Sequence, residues 1–257
     1  MVQIILSGCN GRMGQVITGL ASEMDQIRIV AGVDLNTEQH SDYPVYESFE
    51  ACEQAGAGGD VIIDFSSPAA YDAMMDYVLS TATPAVVCTT GLNEEQLSRL
   101  EHASHKTAVL RSANMSLGIN LLMKLVRDAA KILAPSGFDI EIEERHHKRK
   151  KDAPSGTALA LADAANEALG GGYSYVYDRS NLYEPRGSHQ IGISSVRGGT
   201  IVGEHTVLFA GDDEVIELKH TATSRAIFAK GALAAAVFLA GQAPGYYGMD
   251  DVIESVS

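Results

Sequence analysis

The feature that most limits the fold is a rhythm. Between residues 2 and 110, five short apolar runs (2–6, 27–33, 60–64, 84–88 and 107–110) alternate with stretches of helical spacing. The first of those stretches, 12–22, places Met13, Val16, Ile17 and Leu20 on one helical face. The next, 47–54, is short. Another starts at Ser67-Pro68, a helix-start pair, and the last runs over 94–103 behind Asn93 as its cap. Apolar runs of four to seven residues without polar alternation suit strands buried on both faces. Strands of that kind joined through helices make right-handed crossovers, so a parallel sheet is expected.

After Asn114 the rhythm changes. Ser116 can cap a long amphipathic helix that buries Leu121, Leu122, Leu125, Val126, Ala129, Ile132 and Leu133 and stops at Pro135-Ser136-Gly137. Phe138, Ile140 and Ile142 alternate with acidic residues, the pattern of a strand with one buried face. A polar loop over 145–155 leads to an Ala/Leu-rich helix over 156–169, ended by three glycines. Strands are expected at 189–196, 200–209 and 214–220. Their direct succession suggests antiparallel neighbours. A last helix starts near Ser224. The expected plan is α/β: a Rossmann-type dinucleotide-binding domain with a parallel sheet over 1–114, then an α+β domain with a mixed sheet over 115–225. A C-terminal helix over 226–257 is expected to pack back on the first domain.

Charge narrows the function. The 257 residues hold 19 Lys/Arg and 33 Asp/Glu, a net of −14, which disfavours nucleic acid and anionic membrane surfaces as partners. Residues 1–114 hold 5 Lys/Arg against 15 Asp/Glu, whereas 115–257 hold 14 against 18. Cys9, Cys52 and Cys88 are odd in number, far apart and without zinc spacing. They suit a reduced, cytoplasmic setting. The N-terminus lacks a basic segment before its apolar run, and the apolar stretch 232–240 is too short to span a bilayer.

Two motifs carry chemistry. Gly8-Cys9-Asn10-Gly11-Arg12-Met13-Gly14 follows the first strand and opens the first helix. Glycines there let the backbone turn tightly and approach a pyrophosphate, which the helix N-terminus attracts. The spacing is GxxGxxG, with Asn10 where the common fingerprint has its second glycine, and an ordinary glycine turn would look the same. The second strand ends in Asp34, however, which is placed to accept hydrogen bonds from an adenosine ribose. Asp34 would repel a ribose 2′-phosphate, and no cation follows it over 35–39. Arg12 is the one nearby base, so NADH is expected to be preferred, with some use of NADPH.

The second motif is His146-His147-Lys-Arg-Lys150-Lys-Asp-Ala-Pro-Ser155-Gly156-Thr157. Charge runs are usually solvated loops. This one is anchored by a strand before it and a helix after it. Ser155–Thr157 sits at the helix start, where backbone N–H groups bind carboxylate or phosphate. Histidine supplies a proton near neutral pH. The stretch therefore describes a site for a small polyanion with an acid at hand. Metal binding by the His pair finds no third ligand at zinc spacing, since adjacent residues in extended chain point apart.

With these strings, with Thr89-Thr90-Gly91, with 113–120 (Ala-Asn-Met-Ser-Leu-Gly-Ile-Asn) and with Val202-Gly-Glu-His-Thr, nearly the whole chain resembles the 4-hydroxy-tetrahydrodipicolinate (dihydrodipicolinate) reductases of the diaminopimelate route to lysine. The Glu-x-His-His…Lys-x-Asp-Ala-Pro-Ser-Gly-Thr string over 144–157 is highly specific to that family. The resemblance implies that Gly8, Cys9, Asn10, Gly11, Arg12 and Met13 hold the pyrophosphate of NAD(P)H and Asp34 the ribose. It places Cys88, Thr89, Thr90, Ser112, Ala113, Asn114 and Met115 beside the nicotinamide. It makes His146 the proton donor/acceptor and Lys150 a second donor, and it assigns His147, Ser155, Gly156 and Thr157 to the substrate carboxylates. It also implies a homotetramer built through the sheet of the second domain. Because the two expected sites lie on different domains, closure about hinges near 114–117 and 224–228 is expected. Leu35 stands where some members have a basic residue, and Met115 where Phe is common. Two other readings stay open: a dinucleotide-dependent reductase of the aspartate-semialdehyde or homoserine type, and a non-catalytic nucleotide sensor.

Overall fold

The computed structural model describes residues 1–255. It divides into two compact units, Met1–Leu117 with Ala226 onward, and Gly118–Arg225.

In chain order the first unit begins β1 (Val2–Ser7), α1 (Arg12–Ala21), β2 (Ile27–Val33), β3 (Val45–Tyr46), α2 (Phe49–Gln54), β4 (Val61–Asp64), α3 (Pro68–Thr81), β5 (Ala85–Val87), α4 (Glu94–Ser104) and β6 (Ala108–Arg111). The second unit holds α5 (Leu117–Leu133, its first residue in the other unit), β7 (Asp139–His146), α6 (Gly156–Ala168), β8 (Ser174–Tyr177), β9 (Gln190–Arg197), β10 (Gly203–Ala210) and β11 (Val215–Ala222). The chain then returns to the first unit as α7 (Ala226–Leu239), β12 (Gly245–Tyr247) and α8 (Met249–Glu254).

The first unit is a parallel sheet in the order β12-β6-β5-β4-β1-β2-β3. Adjacent residues of one strand feed different cores. Ile4, Leu6, Val61 and Ile63 pack with Ile17 of α1 and with Ala232, Leu233 and Ala236 of α7. Ile5 and Ile62 pack with Phe49, Tyr71, Met74, Met75 and Leu100 of α2, α3 and α4. Helices on both faces explain why the strands are continuous apolar runs. The order turns back between β1 and β4, and such a reversal is where doubly wound sheets open a ligand crevice at their carboxyl ends.

The segment expected to be one helix over 226–257 is three pieces. Helix α7 ends at Leu239. Pro244 has no backbone N–H and a fixed φ, so it cannot extend the helix; the next residues add β12 to the sheet edge beside β6. Residues 256 and 257 lie outside the described residues. Strands β3, β8 and β12 were too short to show a period of their own in the sequence.

The second unit carries a mixed sheet in the order β11-β10-β7-β9-β8. Only one of the expected successive pairings is present: β10 and β11 are antiparallel partners. Strand β9 is not β10's neighbour. It pairs parallel with β7, and β10 pairs antiparallel with the other side of β7. Strand β7 takes the centre of the sheet with β9 on one side and β10 on the other, so strands that follow one another along the chain are not neighbours here. The β9–β10 loop therefore passes over the end of β7, where Gly198 N donates to His146 O at 2.9 Å and Lys148 N to Gly199 O at 3.3 Å. Helices α5 and α6 cover one face, burying Leu122, Val126, Leu161 and Ala162 against Ile140, Ile142, Val207 and Phe209. No helix of the described residues is long and apolar enough to cross a membrane.

Helix α7 lies close to the chain near Met115, and only glycine permits this at position 231. A Cβ there would stand 1.6 Å from Met115 O. Gly231→Ala is expected to lower stability by about 3 kcal/mol or more, the scale of severe overpacking. Gly241→Ala, with nothing within 4 Å, should stay within about 0.5 kcal/mol. Thermal unfolding of the two variants checks the contrast.

Candidate active site

In the first unit the expected cofactor residues sit on the carboxyl ends of neighbouring strands. Gly8 ends β1 with φ +75°, and its N–H donates to Val33 O at 2.8 Å. A Cβ on Gly8 would come within 2.6 Å of Phe65 O, and one on Gly14 within 2.3 Å of Gly8 O. Both glycines are therefore required by close backbone approach. Gly11 is the N-cap of α1 and offers no side-chain cap to its N–H groups. That is the cradle a pyrophosphate needs.

Asp34 stands beside this turn. Its Oδ2 accepts from Asn10 N at 3.0 Å and its Oδ1 from Asn36 N at 3.1 Å. The Asn10 amide in turn donates to Asn36 O at 2.6 Å and Glu38 O at 2.9 Å. The residue that breaks the common glycine fingerprint thus ties the turn to the loop after β2. Leu35 is almost fully exposed.

Cys88, Thr89 and Thr90 follow β5, and Ser112 to Met115 follow β6, so both groups join the same edge of the sheet. Thr89 Oγ1 is buried without a partner among the described residues. The cysteines do not present thiols there. Cys9 Sγ is packed under Gly32, and burial, with Asp34 nearby, pushes the thiol up to about 11. Burial, reinforced by Asp64, also raises Cys88. The Met115 side chain is part of the apolar core. Sequence reasoning overlooked the end of β4. Asp64 is fully buried, accepts from Ser66 Oγ at 2.5 Å and leaves Oδ2 unpartnered among the described residues, while Phe65 lies against Gly8. The one hint was a carboxylate closing an otherwise apolar strand.

In the second unit, β7 alternates strictly. Ile140, Ile142, Glu144 and His146 face the helices. Glu144 is fully buried, and both of its oxygens accept hydrogen bonds. Its Oε1 takes Arg197 Nη2 at 2.6 Å and Ser155 N at 3.1 Å; its Oε2 takes Arg197 Nη1 at 2.7 Å and His146 Nδ1 at 2.6 Å. Burial alone would raise this carboxyl. The Arg197 hydrogen bonds, with those from His146 and Ser195, outweigh it and bring it down to about 2.

His205 on β10 lies opposite Glu144, and its ring stands edge-on to His146 with centroids 5.1 Å apart. Its Nε2 is 3.0 Å from Ser155 Oγ, which also accepts from Ala158 N as the N-cap of α6. Ser155 thus ties the helix start to His205 on β10. Gly156 follows it, exposed and with nothing within 4 Å of a Cβ position, so a ligand has room there. Lys150 Nζ lies 2.8 Å from Asp152 Oδ2, and Lys150 N donates to His147 O at 3.0 Å, closing the loop on itself. His146, His147, Lys150, Ser155, Gly156 and Thr157 are therefore one cluster at the end of β7 and the start of α6.

Glu144, Arg197 and His205 lay outside the expected site set. Two of them had a signal: Glu144 and His205 occupy the buried parity of their strands, where Ile142 and Val207 precede and follow. Arg197 had none, because its place depends on the parallel β7–β9 pairing that sets it beside His146.

Comparison with known proteins settles the family. The C-terminal dihydrodipicolinate reductase model matches residues 118–253, and the N-terminal one matches residues 2–115. The chain belongs to the dihydrodipicolinate reductase family. A 4-hydroxy-tetrahydrodipicolinate reductase of Caldanaerobacter subterraneus subsp. tengcongensis is 50% identical over 254 residues, 99% of each chain. One from Caulobacter vibrioides is 44% identical over 256 residues, 98% of this chain and 97% of that one. Among solved structures, a dipicolinate-bound dihydrodipicolinate reductase from Paenisporosarcina sp. TG-14 shares the fold with a TM-score of 0.81, at 24% identity over 96% of this chain and 97% of that chain.

The neutral, buried His205 has a consequence for this family member. Burial, then the neighbouring His146, lowers its pKa from 6.5 to about 4. A histidine depressed in the folded state contributes stability that is full above pH 6.5 and is lost as pH falls toward 4, because the unfolded chain takes up the proton first. Wild-type stability should fall by a few kcal/mol across that window. His205→Gln should flatten that part of the curve, as read by melting temperature against pH.

Proposed function

We propose that this chain reduces 4-hydroxy-tetrahydrodipicolinate to tetrahydrodipicolinate with hydride from NAD(P)H, in the diaminopimelate route to lysine, and that the cluster at 144–157 binds and protonates the substrate. The observation that carries this reading is the histidine held by a buried carboxylate beside an anion-seeking helix start. When bound, the dinucleotide supplies the hydride. The glycine turn, Asp34 and the strand ends at 64–66, 88–90 and 112–115 are the residues that hold it. GenD2 from gentamicin A biosynthesis, solved in complex with NAD, is similar in fold at a TM-score of 0.59 and 11% identity over 99% of this chain and 91% of that one, in keeping with a nicotinamide dinucleotide here.

The rest is the work of the second unit. The related Paenisporosarcina enzyme holds dipicolinate, a dicarboxylate. A dicarboxylate needs cations and N–H donors. His147, Lys150 and the α6 start at Gly156–Thr157 supply them, with Ser155 fixing that helix start. His146 delivers a proton to the ring carbon next to the one that accepts hydride, and Lys150 is the second donor. A nucleotide sensor needs neither the proton donor nor the anion pocket of this cluster, and the 144–157 string separates the chain from aspartate-semialdehyde and homoserine reductases. We also assign a homotetramer built through the face of the second sheet that α5 and α6 leave uncovered, and a cytoplasmic location.

His146→Gln should lower kcat by roughly 10²-fold or more, the usual scale for a general acid. Lys150→Ala should raise KM for the substrate and lower kcat as well. The assay follows NADH oxidation with substrate generated enzymatically from pyruvate and aspartate semialdehyde; unchanged kcat in His146→Gln would remove that residue from the chemistry.

Asp34, held by two backbone N–H groups beside the exposed Leu35, meets a ribose as a fixed negative charge. NADH is therefore preferred. Steady-state kcat/KM with each cofactor should favour NADH, and a tenfold advantage for NADPH would overturn the assignment.

A further inference from the structure

We propose that Glu144, clamped by Arg197, is a positioning residue that fixes His146 with a proton on Nδ1, so that Nε2 is the atom through which His146 gives and takes its proton, and that Gly203 keeps the space at that atom open. This rests on the reading of His146 as the proton donor.

The argument is one of donors and acceptors. An ionised carboxylate can only accept. Both oxygens of Glu144 are engaged, and each accepts from Arg197. Oε2 also faces His146 Nδ1 at 2.6 Å, in a site closed to water. Nδ1 must therefore carry its hydrogen in both protonation states of the ring. In the charged ring Nε2 carries the second hydrogen; in the neutral ring Nε2 is a bare lone pair. When the proton is delivered, the Nε2–H bond breaks, its electron pair stays on Nε2, and the proton forms the new C–H bond on the substrate. The neutral Nδ1–H imidazole is left, still bonded to Glu144. Nothing else need move, which is the advantage of an oriented acid.

Arg197 secures the carboxylate. It also donates to Asp152 O at 2.6 Å, so the same guanidinium holds the loop that carries Lys150. Ser155 N, another donor to Glu144, belongs to the α6 start. One carboxylate thus registers the proton donor against the anion-binding helix end. The groups around the ring are Glu144 on its own strand, Arg197 on β9, and His205 on β10, which burial keeps neutral.

Gly203 completes the device. A Cβ at 203 would stand 3.1 Å from His146 Nε2 and 3.5 Å from Cδ2. The contact to Cδ2 is an ordinary one, but that to Nε2 is tighter than a Cβ usually makes, so a side chain there would crowd the working nitrogen. The backbone at Gly203 is not in the left-handed region, so alanine changes the space without straining the chain.

The test combines spectroscopy and kinetics on the full-length protein. Side-chain ¹⁵N–¹H correlation spectra, with the His146 signals assigned by their loss in His146→Gln, should show a single Nδ1–H tautomer at high pH. Glu144→Gln, whose amide must present an N–H to either Arg197 or His146, should abolish that single tautomer. It should lower kcat at least about tenfold, with KM for both ligands changed less than about threefold. Glu144→Asp should recover part of the loss, and Glu144→Gln in a His146→Gln background should add little. Gly203→Ala should keep the Nδ1–H tautomer and still lower kcat, which decides the matter if Glu144→Gln does not fold. An Nε2–H tautomer in the wild type, or wild-type kcat in folded Glu144→Gln or Gly203→Ala, overturns the proposal. If His146→Gln itself keeps full kcat, it is the reading of His146 that falls.

Discussion

A buried carboxylate organises the second unit. Glu144 has no contact with water, yet it stays charged because Arg197 meets it with two parallel hydrogen bonds. Burying one ion without the other would cost several kcal/mol, so the two strands that carry them are bound to one register. The rest of the site hangs from that pair. His146 and the first residue of the α6 cap both donate to Glu144, and the 152 carbonyl accepts from Arg197. A loop of six charged or titratable residues would otherwise be free to solvate. Here it is tied at its middle and at both ends.

The first unit solves a different problem. It is the more acidic half of the chain and must hold an anionic dinucleotide. In the proposed site, backbone rather than side chains would do this: a glycine turn pressed against β4, an uncapped helix start, and a fixed carboxylate for hydroxyl groups. The opposite arrangement holds in the second unit, where cations are gathered on one loop. The net acidity of the molecule serves solubility, and the two anion sites are local exceptions with separate physical origins.

Much of this was legible in the residues. Apolar runs buried on both faces can only be strands of a helix-covered sheet, so the first unit followed from periodicity and the glycine turn. The cluster over 146–157 followed from its composition between two regular elements, and the specific string over 144–157 pointed to the reductase family. Less legible were elements too short for a period, such as β3 and β12, and the break after α7, where Pro244 carried the only signal. The order of the second sheet differs from the expected one because succession along the chain is not adjacency in space. Strand β7 lies between β9 and β10, and that placement rests on non-local pairing that chain order does not carry.

The amino-acid sequence by itself determined the fold class and the family, and it singled out the stretch proposed to react, because those depend on local pattern and on specific strings. Only the tertiary structure decided how the stretch works. Arg197 reaches Glu144 across fifty residues, and His205 reaches Ser155 across fifty more, through strand pairings that no local pattern encodes. Those non-local hydrogen bonds choose which nitrogen of His146 holds its proton, because the direction in which a buried carboxylate points is set by everything that surrounds it.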